Sequence, residues 1–343
     1  MTFFDEPEIL KAPPIKRAAY SDRMAWLLAE FSRLAYRELP EEKCANHLLP
    51  KIKELVNENR WIEEGKPMVL SIIEKTSREK SRVEHILEEN NIRFVDSFVN
   101  EGTEALLAEV SNGGESFLVL SFRGTSSAKD FLTNSRANLQ KIEGGGKAHR
   151  GFHKGLHAIL ADVRKALLKE GKNKPLYLTG HSLGGAWALL ATRYLQDFNV
   201  SATYTYGCPR AANDEFFSRV KSPVYRIVHR ADAVTRVPFG YGLRIILNTI
   251  RLIPLNGTKK ISEFLRRLFV GYTHFGHLVY ICGELKTEEK PSSIQVRLSP
   301  NIFIVLEDFY KQIANSIGNA FEDHDISTYS DKLAQKARER NLP

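Results

Sequence analysis

Hydrophobic and polar positions follow two rhythms along this chain. Between Tyr20 and Tyr36, Met24, Leu27, Leu28, Phe31 and Leu34 recur at helical spacing, predicting an amphipathic helix with an inward apolar face. Leu48, Leu49, Ile52, Leu55 and Val56 predict a second helix over Glu41–Asn59, with Pro50 kinking it or marking its start. Residues 1–19 form a loose, proline-containing leader, and 60–92 is a charged stretch of helices and loops. From Ile92 the rhythm shortens. Ile92–Val99, Thr103–Val110 and Phe117–Phe122 predict strands, the last two joined by a turn at Asn112-Gly113-Gly114.

Strands and helices then alternate. A short helix is expected over Ala128–Leu139, capped by Ser126 or Ser127, followed by a flexible break at Gly144–Gly146. Leu156, Leu160, Val163 and Leu167 lie on one face of a helix over Phe152–Glu170, which Gly171 ends. A strand at Leu176–Thr179 and a helix from Ala186 come next. After them follow a strand at Ala202–Gly207, a short helix at Asp214–Val220, strands at Val224–His229, Leu278–Cys282 and Ile294–Leu298, and a helix over Asn301–Ile317. This order predicts an α/β fold, a mostly parallel sheet with helices on both faces. The chain divides into an N-terminal helical extension at 1–90 packed on the core and an α/β domain at 91–343.

Composition narrows the function. The 343 residues are 43% hydrophobic and 26% charged, enough for a large core. No run of about 18 apolar residues occurs, so no transmembrane helix is expected. Met1–Pro7 has no basic stretch leading into an apolar one, so a cytoplasmic or peripherally membrane-associated protein is expected, secretion by a route without a cleavable signal being left open. The three cysteines, Cys44, Cys208 and Cys282, lack metal-ligand spacing and suggest buried free thiols. No cofactor or metal is expected. The net charge of +8 comes from dispersed basic residues with no nucleic-acid recognition pattern, so no nucleic-acid partner is expected. Segment 239–270 sets Ile, Leu and Phe among Arg and Lys, which suits an anionic membrane surface or, equally, a buried insertion with snorkelling basic residues.

The chemistry gathers at Gly180-His181-Ser182-Leu183-Gly184, between a strand and a helix. This is the nucleophile-elbow pattern, in which the serine backbone is strained and strand and helix cross too closely for side chains at the flanking glycines. Average residue usage gives a chance G-x-S-x-G in roughly one chain in ten of this length, so partners are needed. Such serines require an acid and then a histidine later in the chain. Asp232, just beyond the strand ending at His229, suits the acid better than Asp214, whose place is a surface helix. His274, His277 and His324 follow it, and position alone leaves all three open, with His324 in a polar loop free to reach the serine.

Further segments resemble the class 3 (fungal-type) lipase family of α/β-hydrolases. Phe122-Arg-Gly-Thr125, His149-Arg-Gly-Phe152, Gly180–Gly185, Tyr206-Gly-Cys-Pro-Arg210, Tyr225 to Pro238 around Asp232, and Tyr272-Thr-His-Phe-Gly276 are similar to its motifs, in order. The resemblance covers roughly 95–335. It implies that His324, in Asp323-His324 with Tyr329 after it, completes a triad with Ser182 and Asp232, and that His274 does not. It also implies an oxyanion hole from the backbone of Thr125 and Leu183, a lid at 126–145, and ester hydrolysis. Phe131, standing where the family's lid often carries a tryptophan, Leu132 and His181 are the candidates for substrate or lid contact. A lipase or esterase on acylglycerols leads, a phospholipase A-type enzyme is second, and a non-catalytic binding protein third. The expected partner is a lipid or ester substrate.

Overall fold

The computed structural model describes residues 2–10, 19–37, 66–67, 82–100, 102–112, 114–124, 139–230, 232, 234–236, 271–285, 293–300 and 322–341. The expected helix at 41–59, the lid candidates Phe131 and Leu132, Thr125, segment 239–270 and the expected helix at 301–317 lie outside these residues.

The described elements run α1 (Pro7–Leu10), α2 (Asp22–Leu34), β1 (Ile92–Asn100), β2 (Thr103–Asn112), β3 (Glu115–Phe122), β4 (Leu139–Lys141) and β5 (Lys147–His149). Then follow α3 (Arg150–Glu170), β6 (Leu176–His181), α4 (Leu183–Tyr194), β7 (Val200–Tyr206), α5 (Asp214–Phe217), β8 (Val224–His229), β9 (His277–Cys282), β10 (Gln295–Leu298) and α6 (Ile326–Asn341). The described strands build an eight-stranded sheet in the order β1-β2-β3-β6-β7-β8-β9-β10. β1, β2 and β3 pair antiparallel, since links of two residues permit hairpins and nothing longer. β3, β6, β7, β8 and β9 pair parallel, each link having room for a crossover, and β10 turns back antiparallel on β9. The sheet is thus parallel at its centre, where the site lies, and antiparallel at both edges.

Both faces are covered, which explains the near-continuous apolar strands. Leu106, Ala108, Val119 and Tyr177 face Trp26, Leu27 and Phe31 of α2, Leu333 of α6, and Val83 and Leu87. Leu107, Leu118, Leu120 and Leu178 face Leu156 and Val163 of α3 and Trp187 and Leu190 of α4. Ser21 caps α2, its Oγ accepting from the Met24 N–H at 3.4 Å. Buried Glu30 ties three parts of the chain, accepting from the Phe4 N–H at 2.8 Å, from Arg33 at 2.6 Å and from the Ser330 hydroxyl of α6 at 2.5 Å. Among the described helices none is long and apolar enough to cross a membrane.

Several sequence expectations change. In the leader expected to be loose, Phe3 and Phe4 are buried in the core, and Cys282, expected to be buried, is half-buried. Leu139, placed at the end of a helix, instead begins β4 and pairs with His149. Gly144–Gly146 is not a flexible break but the turn of the β4–β5 hairpin, where the Gly145 N–H donates to the Ile142 carbonyl and the Ile142 N–H to the Gly146 carbonyl, each at 3.0 Å. All three glycines have positive φ, the conformation that this tight turn requires and side chains resist.

Candidate active site

β6 carries the chain into the middle of the sheet and stops at His181; α4 begins at Leu183. Between them Ser182 has φ 56° and ψ −125°, a strained conformation for a residue with a side chain. Its N–H donates to the Tyr206 carbonyl at 2.9 Å, which anchors the strained residue to β7. A Cβ on Gly180 would stand 2.3 Å from the Gly184 carbonyl carbon, and one on Gly184 would stand 2.2 Å from the Phe122 carbonyl oxygen. The elbow closes only because both positions are bare. Leu183 opens α4, so its amide belongs to the first turn, whose N–H groups have no partner within the helix.

Asp232 stands three residues beyond β8 and is completely buried. Its Oδ2 accepts from His324 Nδ1 and from the Tyr329 hydroxyl, each at 2.8 Å, and its Oδ1 accepts from the Val234 N–H at 2.9 Å. His324 ends the 3-10 turn Glu322–His324, immediately before α6. Because Nδ1 gives its proton to a carboxylate, Nε2 carries the lone pair. Both His324 Nε2 and Ser182 Oγ are buried with no hydrogen-bond partner among the described residues. His324 is therefore the histidine that reaches Asp232, while His277 stands exposed at the start of β9 and Asp214 in the first turn of α5. Thr125 lies outside the described residues. Gly124, just before it, packs so closely that a Cβ there would stand 2.2 Å from the Tyr36 hydroxyl and 2.6 Å from the His181 carbonyl.

His181, expected to meet substrate, is buried with both ring nitrogens engaged. Its Nε2 lies 2.6 Å from the His324 carbonyl and its Nδ1 2.8 Å from the Tyr36 hydroxyl. A carbonyl can only accept, so Nε2 donates and Nδ1 accepts from Tyr36. These bonds make His181 a support for the backbone of His324.

Sequence reasoning missed Gly207. It has φ +55°, and a Cβ there would fall 2.6 Å from Asp232 Oδ2 and 2.8 Å from His324 Nδ1. The clue was its place at the carboxyl end of a parallel strand, where such folds gather their sites. Gly207→Ala is expected to push the Asp–His pair apart and to lower kcat by about 100-fold, since misplacement by about 1 Å has that scale. A steady-state assay with circular dichroism as a folding control checks this.

The buried histidines also set acid stability. Burial, reinforced by the neighbouring His324, holds His181 well below the usual imidazole range. Burial alone brings His149 to about 4, and burial with Lys332 nearby brings His229 to about 3. Each folded-state value lies below the unfolded reference of about 6.5, so the folded protein binds fewer protons. Stability is then complete above about pH 6.5 and is lost as pH falls toward the folded values, by up to ~1.4 kcal/mol per pH unit for each histidine. Urea midpoints should hold level from pH 7.5 to about 6.5 and fall from there to pH 4.5, and a midpoint constant down to pH 4.5 would contradict neutral burial.

A parallel-centred sheet, a serine elbow at its middle and an Asp–His pair beyond its later strands define the α/β-hydrolase fold. Residues 119–242 match the family model for class 3 lipases. The segment holds Ser182 and Asp232; His324 lies beyond it. The chain is 30% identical over 167 residues to secreted mono- and diacylglycerol lipase 1 of Fusarium solani, covering 45% of this chain and 50% of the relative. It is 31% identical over 163 residues to phospholipase A(1) DAD1 of Arabidopsis thaliana, covering 38% and 35%. The solved structure of lipase II from Rhizopus niveus aligns with a TM-score of 0.45 at 22% identity, over 64% of this chain and 73% of that one. The chain thus spans half or less of the two curated relatives. One expectation is overturned here. A cytoplasmic or peripherally membrane-associated protein was expected, yet the Fusarium solani relative is by name a secreted lipase.

Proposed function

We propose that the protein is a serine carboxylester hydrolase that cleaves acylglycerol-type esters through an acyl-enzyme on Ser182. The observation that carries this reading is the Asp232–His324 bond of 2.8 Å, with a buried imidazole nitrogen and the buried Ser182 hydroxyl both without a hydrogen-bond partner among the described residues. In the reaction His324 Nε2 takes the Ser182 proton as Oγ attacks the ester carbonyl. Asp232 stabilises the imidazolium, and the amides of Leu183 and Thr125 bind the oxyanion, each such donor being worth about 2.7–4 kcal/mol. Collapse of the tetrahedral intermediate breaks the ester C–O bond and returns the proton from His324 to the departing alcohol. Water then attacks the acyl-enzyme, with His324 again as base, and releases the fatty acid and free Ser182. Ser182 Oγ and His324 Nε2 share no hydrogen bond in this structure; in free enzymes such bonds often tighten only with substrate in place.

A phospholipase A-type activity is the second reading, favoured by the similarity to the Arabidopsis phospholipase A(1). The two use the same serine chemistry and differ in leaving group. Fatty-acid release from diacylglycerol and triacylglycerol emulsions and from phosphatidylcholine vesicles separates them. The leading reading expects acylglycerols to be preferred by about tenfold or more in kcat/KM, roughly 1.4 kcal/mol of transition-state stabilisation. The reverse preference would replace it with the second reading.

A further inference from the structure

Behind Asp232 and His324 lies a second buried polar group that this mechanism leaves unused. Lys332, in the second turn of α6, is only 4% exposed, unusual for a lysine unless its ammonium has partners. Its Nζ lies 2.7 Å from His229 Nε2 and 2.7 Å from the Gly283 carbonyl. His229, the last residue of β8, is 2% exposed. Its other nitrogen, Nδ1, faces the backbone carbonyl of Asp323 at 3.2 Å and the carboxylate of the same residue at 3.5 Å.

The direction of this chain of bonds follows from donor chemistry. An ammonium only donates, so His229 Nε2 must accept and the ring proton sits on Nδ1. There it points at Asp323, the residue before His324. The backbone of His229 is equally placed. Its carbonyl accepts from the Asp232 N–H at 3.1 Å, and its N–H donates to the Tyr329 hydroxyl at 3.0 Å, which in turn donates to Asp232 Oδ2. One residue therefore holds the backbone beside each member of the Asp–His pair.

We propose that His229 and Lys332 are positioning residues for hydrolysis: Lys332 fixes the tautomer of His229, and His229 fixes the turn that sets His324 against Asp232. The inference rests on the serine-hydrolase reading above and deepens it. Burial keeps His229 neutral, as this arrangement requires, at about 3. Lys332, lowered to about 8 by burial and by Arg230 and raised by Glu284, Asp323 and Cys282, stays mostly protonated at neutral pH.

Lys332→Met removes the donor and frees the imidazole to carry its proton on Nε2, leaving the Asp323 carbonyl without its bond. With active sites counted by titration, kcat should fall about tenfold and KM stay within about twofold, the size expected from one lost hydrogen bond. Lys332→Gln, which retains a donor without the charge, should restore most of kcat. An asparagine at 229 offers an N–H to Asp323 and has no alternative tautomer, so Lys332→Met added to His229→Asn should change kcat no further. Equal losses from Lys332→Met in both backgrounds, or a change in KM alone, would overturn the proposal. If Lys332→Met does not fold, ¹⁵N NMR of wild-type imidazoles, with His229→Asn to assign the signal, reads the tautomer directly. A proton on Nδ1 supports the proposal and a proton on Nε2 refutes it. Absence of serine-dependent hydrolysis would remove the reading itself while leaving the tautomer measurable, so the two failures are distinguishable.

Discussion

Ser182→Ala is expected to lower kcat/KM for ester hydrolysis by about 10⁴–10⁶-fold while the protein keeps its fold. Loss of Oγ removes the nucleophile, and no other described group stands at the elbow to replace it. The structural consequence is small because Oγ makes no hydrogen bond among the described residues. Alanine also retains the Cβ that Ser182 already carries at φ 56°, so the backbone strain is unchanged. Stability should therefore stay within about 1 kcal/mol of wild type. Parallel esterase and thermal-melt measurements check both halves. A loss smaller than about tenfold in a folded variant would mean that another residue performs the attack.

Asp232→Asn is expected to cost about 10⁴-fold in kcat and to destabilise the protein as well. Oδ2 accepts from both His324 and Tyr329, and Oδ1 from the Val234 N–H. An asparagine has one acceptor atom to offer. With its NH₂ toward His324, the imidazole is driven to the wrong tautomer and the Tyr329 hydroxyl loses its acceptor. With its NH₂ toward Val234, two donors face each other. Either orientation leaves a buried donor unpaired, a cost of about 1–3 kcal/mol. This differs from Ser182→Ala, where activity falls and stability holds. Urea denaturation beside the kinetic assay distinguishes the two patterns.

The elbow was legible in the sequence because its constraints are local. Gly180 and Gly184 are bare for contacts within one strand–turn–helix unit, so the spacing carries the geometry. The hairpins β1–β2–β3 were legible for the same reason, their links being too short for anything else. The acid was nearly so, since Asp232 sits where a parallel strand delivers it. The histidine was not. Position left His274, His277 and His324 open, and only the family resemblance selected the residue that meets Asp232 across 92 positions. Gly144–Gly146 misled because glycine permits both a flexible link and a tight turn, and pairing between β4 and β5 decides between them. Tyr36 and Lys332 left no signature at all. Their partners lie 145 and 103 residues away, and a hydroxyl or an amine at such distance has no spacing to betray it.

In the proposed reaction Ser182 forms the covalent intermediate. An alkylphosphonate p-nitrophenyl ester offers this site a tetrahedral phosphorus that resembles the transition state, and its product with a serine is stable enough for mass spectrometry. Intact-mass analysis followed by peptide mapping should find a single phosphonyl group, on Ser182, appearing in step with loss of esterase activity and absent from Ser182→Ala. Inactivation with the group on any other residue, or full activity retained after Ser182 is modified, would contradict a nucleophilic Ser182.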